Sequence, residues 1–257
     1  VYKRALKSTA LISTGEGRGT GFLIDESKRL LVTAYHVVEE VEEIWVIFPE
    51  FKPDGSVITE YSHYFRDNVQ PNTVRGKVVF RIKSKDLALV QIDTIPTGFK
   101  TLQLSEKRAT PGEKTYTLGN PGSSGGMWIF SEGITRQIFD DYPIAYEGQD
   151  VRAAVAETTN PVNPGDSGGP VLNGAAQIIG LTAGPSGEGD SGEASEVEYF
   201  AETVAHQAGD VLVVVVVVQL VGARGLDEDG VCFVDSDLGE SFADDVVNHG
   251  SGEGTVE

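Results

Sequence analysis

The sequence is poor in cysteine and lacks the usual histidine spacings of metal sites. It has one cysteine, Cys232, among 257 residues, so no intrachain disulfide can form. The four histidines, His36, His63, His206 and His249, lie far apart, and no two of them stand in an H-x-x-x-H spacing. We therefore predict no metal site and no cofactor.

The sequence also lacks an apolar run long enough to cross a bilayer. The longest, VLVVVVVV at residues 211–218, is far shorter than the roughly 20 residues that a spanning helix needs. It is predicted to be a β-strand. Residues 1–17 contain no apolar core of the length found in signal peptides, so we expect a chain that is mature, trimmed or never exported.

Basic residues are outnumbered by acidic ones, 20 to 39, and this argues against nucleic acid as a partner. The formal net charge is -19. Residues 184–257 carry 17 acidic residues and one basic residue, which leaves 22 acidic and 19 basic residues in residues 1–183. Phosphates are repelled by so acidic a chain, and no basic stripe with interleaved aromatics is present. Nucleic acid is therefore not an expected partner.

Short β-type segments dominate the first 183 residues and recur about every ten residues, separated by turn residues. Helical character is confined to residues 33–43 and 199–208, and the second segment would suit a helix that closes the domain. This pattern predicts a mainly β fold, an antiparallel barrel or sandwich. The predicted strands are ALIST, GFLI, LLVTAY, IWVIF, GKVVFRI, LALVQI, KTYTLG, MWIF, PVL and IIGLTA.

One serine, Ser167, stands in the glycine-rich segment NPGDSGGPVL at residues 163–172. Such a segment forms either a tight turn or an exposed nucleophile, because glycines adopt positive φ and clear side-chain bulk in both. A nucleophilic serine requires a base, a carboxylate that orients the base, and N–H donors for the oxyanion. His36 follows an apolar strand and Asp86 precedes one, although the first could be a packed residue and the second could close a turn.

The order His36, Asp86, Ser167 separates the protein classes that use these three residue types. An α/β-hydrolase has its serine before the acid and the histidine, and places that serine between a strand and a helix. Here strand-type sequence, Pro170 to Leu172, follows Ser167. The order and the context both argue against an α/β-hydrolase.

Five segments together resemble the trypsin-like serine proteases of the chymotrypsin fold, and among them the bacterial HtrA/Deg-like branch. They are GTGFLID at 19–25, TAYHVV at 33–38, DLALVQI at 86–92, LGNPG at 118–122 and NPGDSGGPVL at 163–172. The resemblance implies two antiparallel six-stranded β-barrels with the active site in the cleft between them. It covers about residues 8–206, and we expect a protease domain at residues 1–208 with an acidic C-terminal extension at residues 209–257.

The resemblance also implies catalytic roles. Ser167 would be the nucleophile of a serine endopeptidase that forms an acyl-enzyme, His36 its base, and Asp86 the acceptor that fixes the histidine tautomer. The N–H groups of Gly165 and Ser167 would form the oxyanion hole. The substrates would be polypeptides.

The resemblance also implies a primary specificity pocket. Its floor would lie at Pro161 and Val162, and its opposite wall at Thr182 and Ala183. None of these residues is charged, so we expect a preference for small or medium apolar side chains. The alternative is that a carboxylate from the acidic loop, at Glu188 or Asp190, reaches the pocket and favours arginine or lysine.

Two features of the sequence depart from the pattern of the family, and one alternative function stays open. Val1-Tyr2 does not match the Ile-Val-Gly-Gly start of animal trypsins, and the residues after 208 are too few for a PDZ domain. A non-catalytic or chaperone-like relative that binds peptides in the same cleft remains the alternative function. By resemblance alone, a homo-oligomer and a location outside the cytoplasm, periplasmic or secreted, are expected.

Overall fold

The computed structural model describes residues 1–15, 17–65, 72–122, 126–146, 149–183 and 213–216. All of these lie within one compact unit, Val1–Val218. The strands are β1 (Thr9–Ser13), β2 (Arg18–Asp25), β3 (Leu30–Thr33), β4 (Glu43–Ile47), β5 (Thr73–Ile82), β6 (Leu87–Ile92), β7 (Lys114–Gly119), β8 (Ile129–Tyr146), β9 (Gln149–Thr158), β10 (Pro170–Leu172), β11 (Ile178–Ala183) and β12 (Val213–Val216). Short helical segments are α1 (Tyr2–Leu6), α2 (Tyr61–Tyr64) and the 3-10 turns Tyr35–Val37 and Lys83–Lys85.

Within the described residues the strands form two antiparallel barrels that follow each other in sequence. The first has the order β1-β2-β3-β6-β5-β4 and the second the order β10-β11-β12-β9-β8-β7, each closed on itself. Closure leaves no free sheet edge. The predicted fold class of two six-stranded barrels is confirmed. None of the described helices is long and apolar enough to span a membrane.

Strands β2 and β3 of the first barrel are apolar on both faces, because each face packs against a different core. Successive side chains of a strand point to opposite sides. In β2, Leu23 packs in the core of the first barrel, whereas Phe22 belongs to a larger apolar cluster with residues of both barrels. In β3, Leu31 and Val32 are divided in the same way. This larger cluster, which also contains Leu118 of β7, joins the barrels.

Several elements differ from those predicted. The hairpin of β8 and β9 spans residues 129–158 but only its first residues were predicted, because its sequence mixes charged with apolar residues. Of the helical segment predicted at 33–43, only the single turn Tyr35–Val37 is helical, and β4 begins at Glu43. The short α1 was not predicted. The helix predicted at 199–208 lies outside the described residues.

A single crossing, residues 93–113, links the two barrels. It pairs briefly with the second barrel at β11, where the Ser105 N–H donates to the Ile178 carbonyl and the Ile178 N–H donates to the Gln103 carbonyl, both at 2.8 Å. Strands β1 to β6 precede the crossing and form the first barrel, and β7 to β12 follow it and form the second. His36 and Asp86 therefore precede the crossing, and Ser167 follows it.

Strand β12 comes from the valine run that was predicted to be a strand, and that prediction is confirmed for Val213–Val216. β12 pairs with β11 on one side and with β9 on the other, so it closes the second barrel. The domain boundary predicted after Ala208 stays a prediction, and β12 lies beyond it.

Truncation tests that boundary. A chain ending at Ala208 lacks β12 and leaves β9 and β11 with unpaired edges, whereas a chain ending at Val218 keeps it. We expect the shorter chain to lose at least about 2 kcal/mol of unfolding free energy, since each backbone hydrogen bond contributes about 1 kcal/mol. Thermal unfolding by circular dichroism, with gel filtration for aggregation, measures the difference. Equal stability of the two chains would support the boundary at Ala208.

Candidate active site

His36 and Asp86 are brought together by the pairing of β3 with β6. Thr33, the last residue of β3, is opposite Ala88 near the start of β6. In an antiparallel pair the end of one strand faces the start of the next. His36 follows Thr33 by three residues and Asp86 precedes Ala88 by two, so both lie at the same end of the barrel.

The carboxylate of Asp86 holds His36 by three contacts. His36 Nδ1 lies 2.9 Å from Oδ2 and 3.0 Å from Oδ1, and the His36 backbone N–H donates to Oδ1 at 3.0 Å. A carboxylate only accepts, so Nδ1 carries the proton and, in the neutral ring, Nε2 carries the lone pair. Both side chains are nearly buried, with exposed fractions of 11% and 10%. The predicted pair is therefore oriented as a base and its orienting acid require.

Ser167 lies in a buried turn whose backbone is bonded on two sides. The Ser167 carbonyl accepts from the Thr20 N–H of β2 at 2.8 Å. The Gly168 N–H donates to the Thr182 carbonyl of β11 at 2.7 Å. These two groups belong to one peptide unit, so a strand of each barrel fixes its plane.

Gly168 lets this turn pack against the strand that leads to His36. Its φ is +81°, and a Cβ there would lie 2.2 Å from the Thr20 oxygen and 2.4 Å from Thr33 Oγ1. No side chain fits in that space. Thr33 Oγ1 itself donates to the Thr20 carbonyl at 2.8 Å. The serine turn and the end of β3 are thus in direct contact three residues before His36.

Gly165 occupies a second position that only glycine can fill. Its φ is +100°, and a Cβ would lie 2.4 Å from the Asn120 carbonyl oxygen. The Gly165 carbonyl accepts from Thr20 Oγ1 at 2.8 Å, and Thr20 Oγ1 accepts from Asn120 Nδ2 at 3.2 Å. Thr20 and Asn120 were not predicted as site residues, although both stand in segments that carry the family resemblance.

A buried tryptophan holds Asn120 in place. The Trp128 backbone N–H donates to Asn120 Oδ1 at 3.1 Å, and its indole N–H donates to Tyr64 Oη at 3.2 Å. Tyr64 Oη in turn donates to the Ile58 carbonyl at 2.7 Å. Tyr64 belongs to the segment between β4 and β5, so the support of Asn120 reaches back to the first barrel. No sequence motif signalled this connection.

The carboxylate next to the serine is buried. Burial raises the pKa of Asp166 to about 6, against an opposing hydrogen bond from the Asn163 N–H to Oδ2 at 2.9 Å. Among the described residues no cationic side chain lies within ion-pairing distance of Asp166. The residue was not predicted to have a role, and within the described part of the chain the donor bonded to its carboxylate is the Asn163 N–H of the same turn.

The four residues predicted to form the specificity pocket divide into two pairs. Thr182 and Ala183 are buried on β11, and the Thr182 N–H donates to the Gly169 carbonyl at 2.8 Å. Pro161 is exposed, while Val162 is half-buried against a small apolar cluster of the second barrel. Their common use as a pocket stays a prediction.

With this geometry in view, comparison with known proteins identifies the family. Residues 19–181 match the model of the trypsin-like peptidase domain. The chain belongs to this family. The match includes His36, Asp86 and Ser167, and the predicted resemblance to trypsin-like proteases is confirmed.

Curated relatives place the chain near the HtrA/Deg branch. It is 28% identical over 177 residues to the chloroplastic protease Do-like 8 of Arabidopsis thaliana, covering 68% of this chain and 36% of that protein. It is 25% identical over 196 residues to the serine protease Do-like HtrA of Lactobacillus helveticus, covering 76% and 42%. The chain thus spans well under half the length of these relatives.

Solved structures share the fold at low identity. The chain matches an inactive form of the Rv3671c protease of M. tuberculosis with a TM-score of 0.57 at 20% identity, covering 83% of this chain and 84% of the other. It matches Deg5 with a TM-score of 0.52 at 20% identity, covering 72% and 82%. These likenesses support the two-barrel fold.

The buried Asp166 generates a prediction about stability. Burial raises the pKa of the Asp166 carboxyl from 3.8, its value when exposed, to about 6 in the fold. The proton is therefore bound more tightly in the folded state, and the stability that it contributes is present below about pH 4 and is lost as the pH rises to 6. We expect Asp166→Asn, which stays neutral, to be more stable than wild type by about 3 kcal/mol at pH 8 and by less than about 1 kcal/mol at pH 4.

Urea unfolding at the two pH values measures this difference. Asp93→Asn is the matched control, because Asp93 is exposed and its replacement removes one negative charge without a burial term. A stability gain of Asp166→Asn that is the same at both pH values would contradict the prediction.

Proposed function

We propose that this chain is a serine endopeptidase that hydrolyses peptide bonds through Ser167, His36 and Asp86. The family and the protease names of its relatives support that class. The observation that carries the proposal is the imidazole–carboxylate pair of the first barrel, which stands beside a serine turn bonded to both barrels.

In the proposed reaction Ser167 Oγ attacks the scissile carbonyl while His36 Nε2 takes its proton. Asp86 accepts the Nδ1 hydrogen and stabilises the imidazolium. The tetrahedral intermediate collapses when the C–N bond breaks and His36 returns the proton to the leaving amine. Water then repeats the sequence on the acyl-enzyme, with His36 again as the base.

The backbone bonds of the serine turn support an oxyanion hole at the N–H groups of Gly165 and Ser167. In a trans peptide the C=O and the N–H point in opposite directions. The Pro164 carbonyl accepts from the Gly122 N–H at 2.8 Å, so the Gly165 N–H points away from Gly122. The Asp166 carbonyl accepts from the Gly169 N–H at 2.9 Å, so the Ser167 N–H points out of the turn.

The hydrogen bond from the Gly122 N–H to the Pro164 carbonyl favours an assembled oxyanion hole. If the peptide between Pro164 and Gly165 were flipped, its carbonyl oxygen would occupy the place of a donor and repel the oxyanion. The hydrogen bond to Gly122 opposes that flip. The peptide-binding alternative, with an unassembled hole, would need this bond to be broken.

Substitution of the two proton-transfer residues tests the mechanism. We expect Ser167→Ala and His36→Ala each to lower kcat by at least about 10⁴-fold, because the nucleophile or its base is lost. His63→Ala is the matched control: His63 also pairs with a carboxylate, Glu50 Oε2 at 3.1 Å, but outside the proposed site.

The readouts are hydrolysis of a quenched fluorescent peptide, circular dichroism for the fold, and labelling by a fluorophosphonate located by mass spectrometry. The adduct is expected on Ser167 in wild type and in His63→Ala. A folded Ser167→Ala variant that cleaves at the wild-type rate would refute the mechanism. A wild-type protein that binds peptides without cleaving or labelling would support the peptide-binding alternative.

An apolar primary specificity pocket is proposed at Pro161, Val162, Thr182 and Ala183. Two carboxylates are buried among the described residues, and both are engaged elsewhere: Asp86 on His36, and Asp166 on the Asn163 N–H. The alternative residues Glu188 and Asp190 lie outside the described residues. An arginine or lysine entering this pocket would lose its hydration without gaining a partner.

Profiling with a mixed peptide library tests the pocket. We expect cleavage after valine, alanine, isoleucine or leucine, with one methylene changing the rate about 10- to 200-fold. Pro161→Asp supplies a carboxylate and should shift cleavage toward arginine and lysine. Dominant wild-type cleavage after arginine or lysine would overturn the pocket assignment and leave the triad intact.

A further inference from the structure

Arg18, the first residue of β2, is a cation beside the proposed oxyanion hole with no assigned role. A methyl group built on Gly122 would lie 2.4 Å from an Arg18 Nη atom, so the guanidinium rests directly on that glycine. Gly122 is the residue whose N–H holds the Pro164 carbonyl, next to Gly165. The guanidinium therefore lies against the loop that supports the proposed oxyanion hole.

The peptide between Ser167 and Gly168 shows on which side of the nucleophile Arg18 lies. Its C=O points to Thr20 on β2 and its N–H points to Thr182 on β11, and in a trans peptide these directions are opposite. β2 and β11 therefore lie on opposite sides of Ser167. Since the proposed specificity pocket uses Thr182, the start of β2 lies on the side of the leaving group.

Distance along the chain sets which substrate residue could meet the guanidinium. A methyl group on Gly19 would lie 3.1 Å from the Ser167 carbonyl oxygen, and Arg18 is the next residue along β2. Two extended residues span about 7 Å. Arg18 is thus within reach of the first or second residue after the scissile bond.

The surroundings of Arg18 leave its charge available. Its guanidinium carbon lies 4.7 Å from the centre of the Tyr61 ring, and Tyr61 stacks on Phe65 at 4.2 Å. This cation–π contact positions the guanidinium, whose N–H groups can bind a carboxylate. Across the part of the chain that is described, no carboxylate forms an ion pair with Arg18, and the side chain is half-buried.

We propose that Arg18 is a specificity-determining residue that binds an acidic substrate side chain one or two residues after the scissile bond. The inference rests on the proposed function, because it takes Ser167 as the nucleophile. It extends that function by giving the leaving-group side of the cleft a charge preference.

Paired substrates test this preference. Two quenched peptides are identical except for glutamate or glutamine at the first and second positions after the scissile bond. We expect wild type to cleave the glutamate peptide with a kcat/KM about three- to tenfold higher, as for a partly exposed ion pair with good geometry. Arg18→Gln should bring the ratio of kcat/KM for the glutamate peptide to that for the glutamine peptide to about 1. Arg18→Glu should bring this ratio below 1 and should favour a third peptide with lysine at the same positions. Raising the salt from about 0.01 M to about 1 M should reduce the wild-type ratio.

Arg75→Gln is the matched control variant. Arg75 also lies over an aromatic ring, with its guanidinium carbon 5.1 Å from the centre of Trp45. In the strand register Arg18, Ser13, Trp45 and Arg75 form one row, so Arg75 lies three strands away from Arg18 around the closed barrel. Its replacement should leave the ratio as in wild type. When the two peptides differ in glutamate or glutamine before the scissile bond, the ratio of their kcat/KM values should be the same in wild type and in Arg18→Gln.

The outcomes separate the inference from the proposed function. A wild-type ratio near 1, or a ratio that Arg18→Gln leaves unchanged, overturns the inference while cleavage and labelling of Ser167 still support the protease. An equal loss on both peptides in Arg18→Gln also overturns it, because that result assigns Arg18 to support of the Gly122 loop. A wild-type protein that neither cleaves nor labels overturns the proposed function, and the inference with it.

Discussion

The structure of the site depends on one peptide unit, that between Ser167 and Gly168. It accepts a hydrogen bond from β2 of the first barrel and donates one to β11 of the second. Two opposed bonds on one rigid plane leave it little freedom to rotate. The position of the serine is therefore defined by the relation between the barrels, and not by its own loop alone.

Apolar packing sets the position of one barrel relative to the other. Because β2 and β3 are apolar on both faces, the same strands that fill the first barrel also supply the cluster shared with the second. The interior-facing and interface-facing residues alternate, as with Leu31 and Val32. Burial of about 25 cal/mol per Å² over such a cluster outweighs the net contribution of any single hydrogen bond at the site. The polar contacts give the site its geometry, and the apolar ones hold the barrels together.

Much of the fold could be predicted from the sequence, but some segments and contacts could not. The short apolar strands between turns were evident from their spacing, and the glycines around Ser167 pointed to a constrained turn. The β8–β9 hairpin was missed because its charged residues obscure the apolar alternation. Thr20, Asn120 and Trp128 escaped attention as support for the serine turn, since their contacts join residues about 100 positions apart or connect buried groups that no local pattern marks.

The consecutive order of the two barrels has a consequence for how the site could be divided. One crossing, residues 93–113, is the link between the barrel that carries His36 and Asp86 and the barrel that carries Ser167. Each barrel is closed by its own strands, and they meet across a shared apolar cluster. A chain cut in the crossing would yield two fragments, each holding only part of the proposed triad. Recovered hydrolysis would then report the reassociation of the halves, which makes the crossing a natural place to split the protein into a complementation pair.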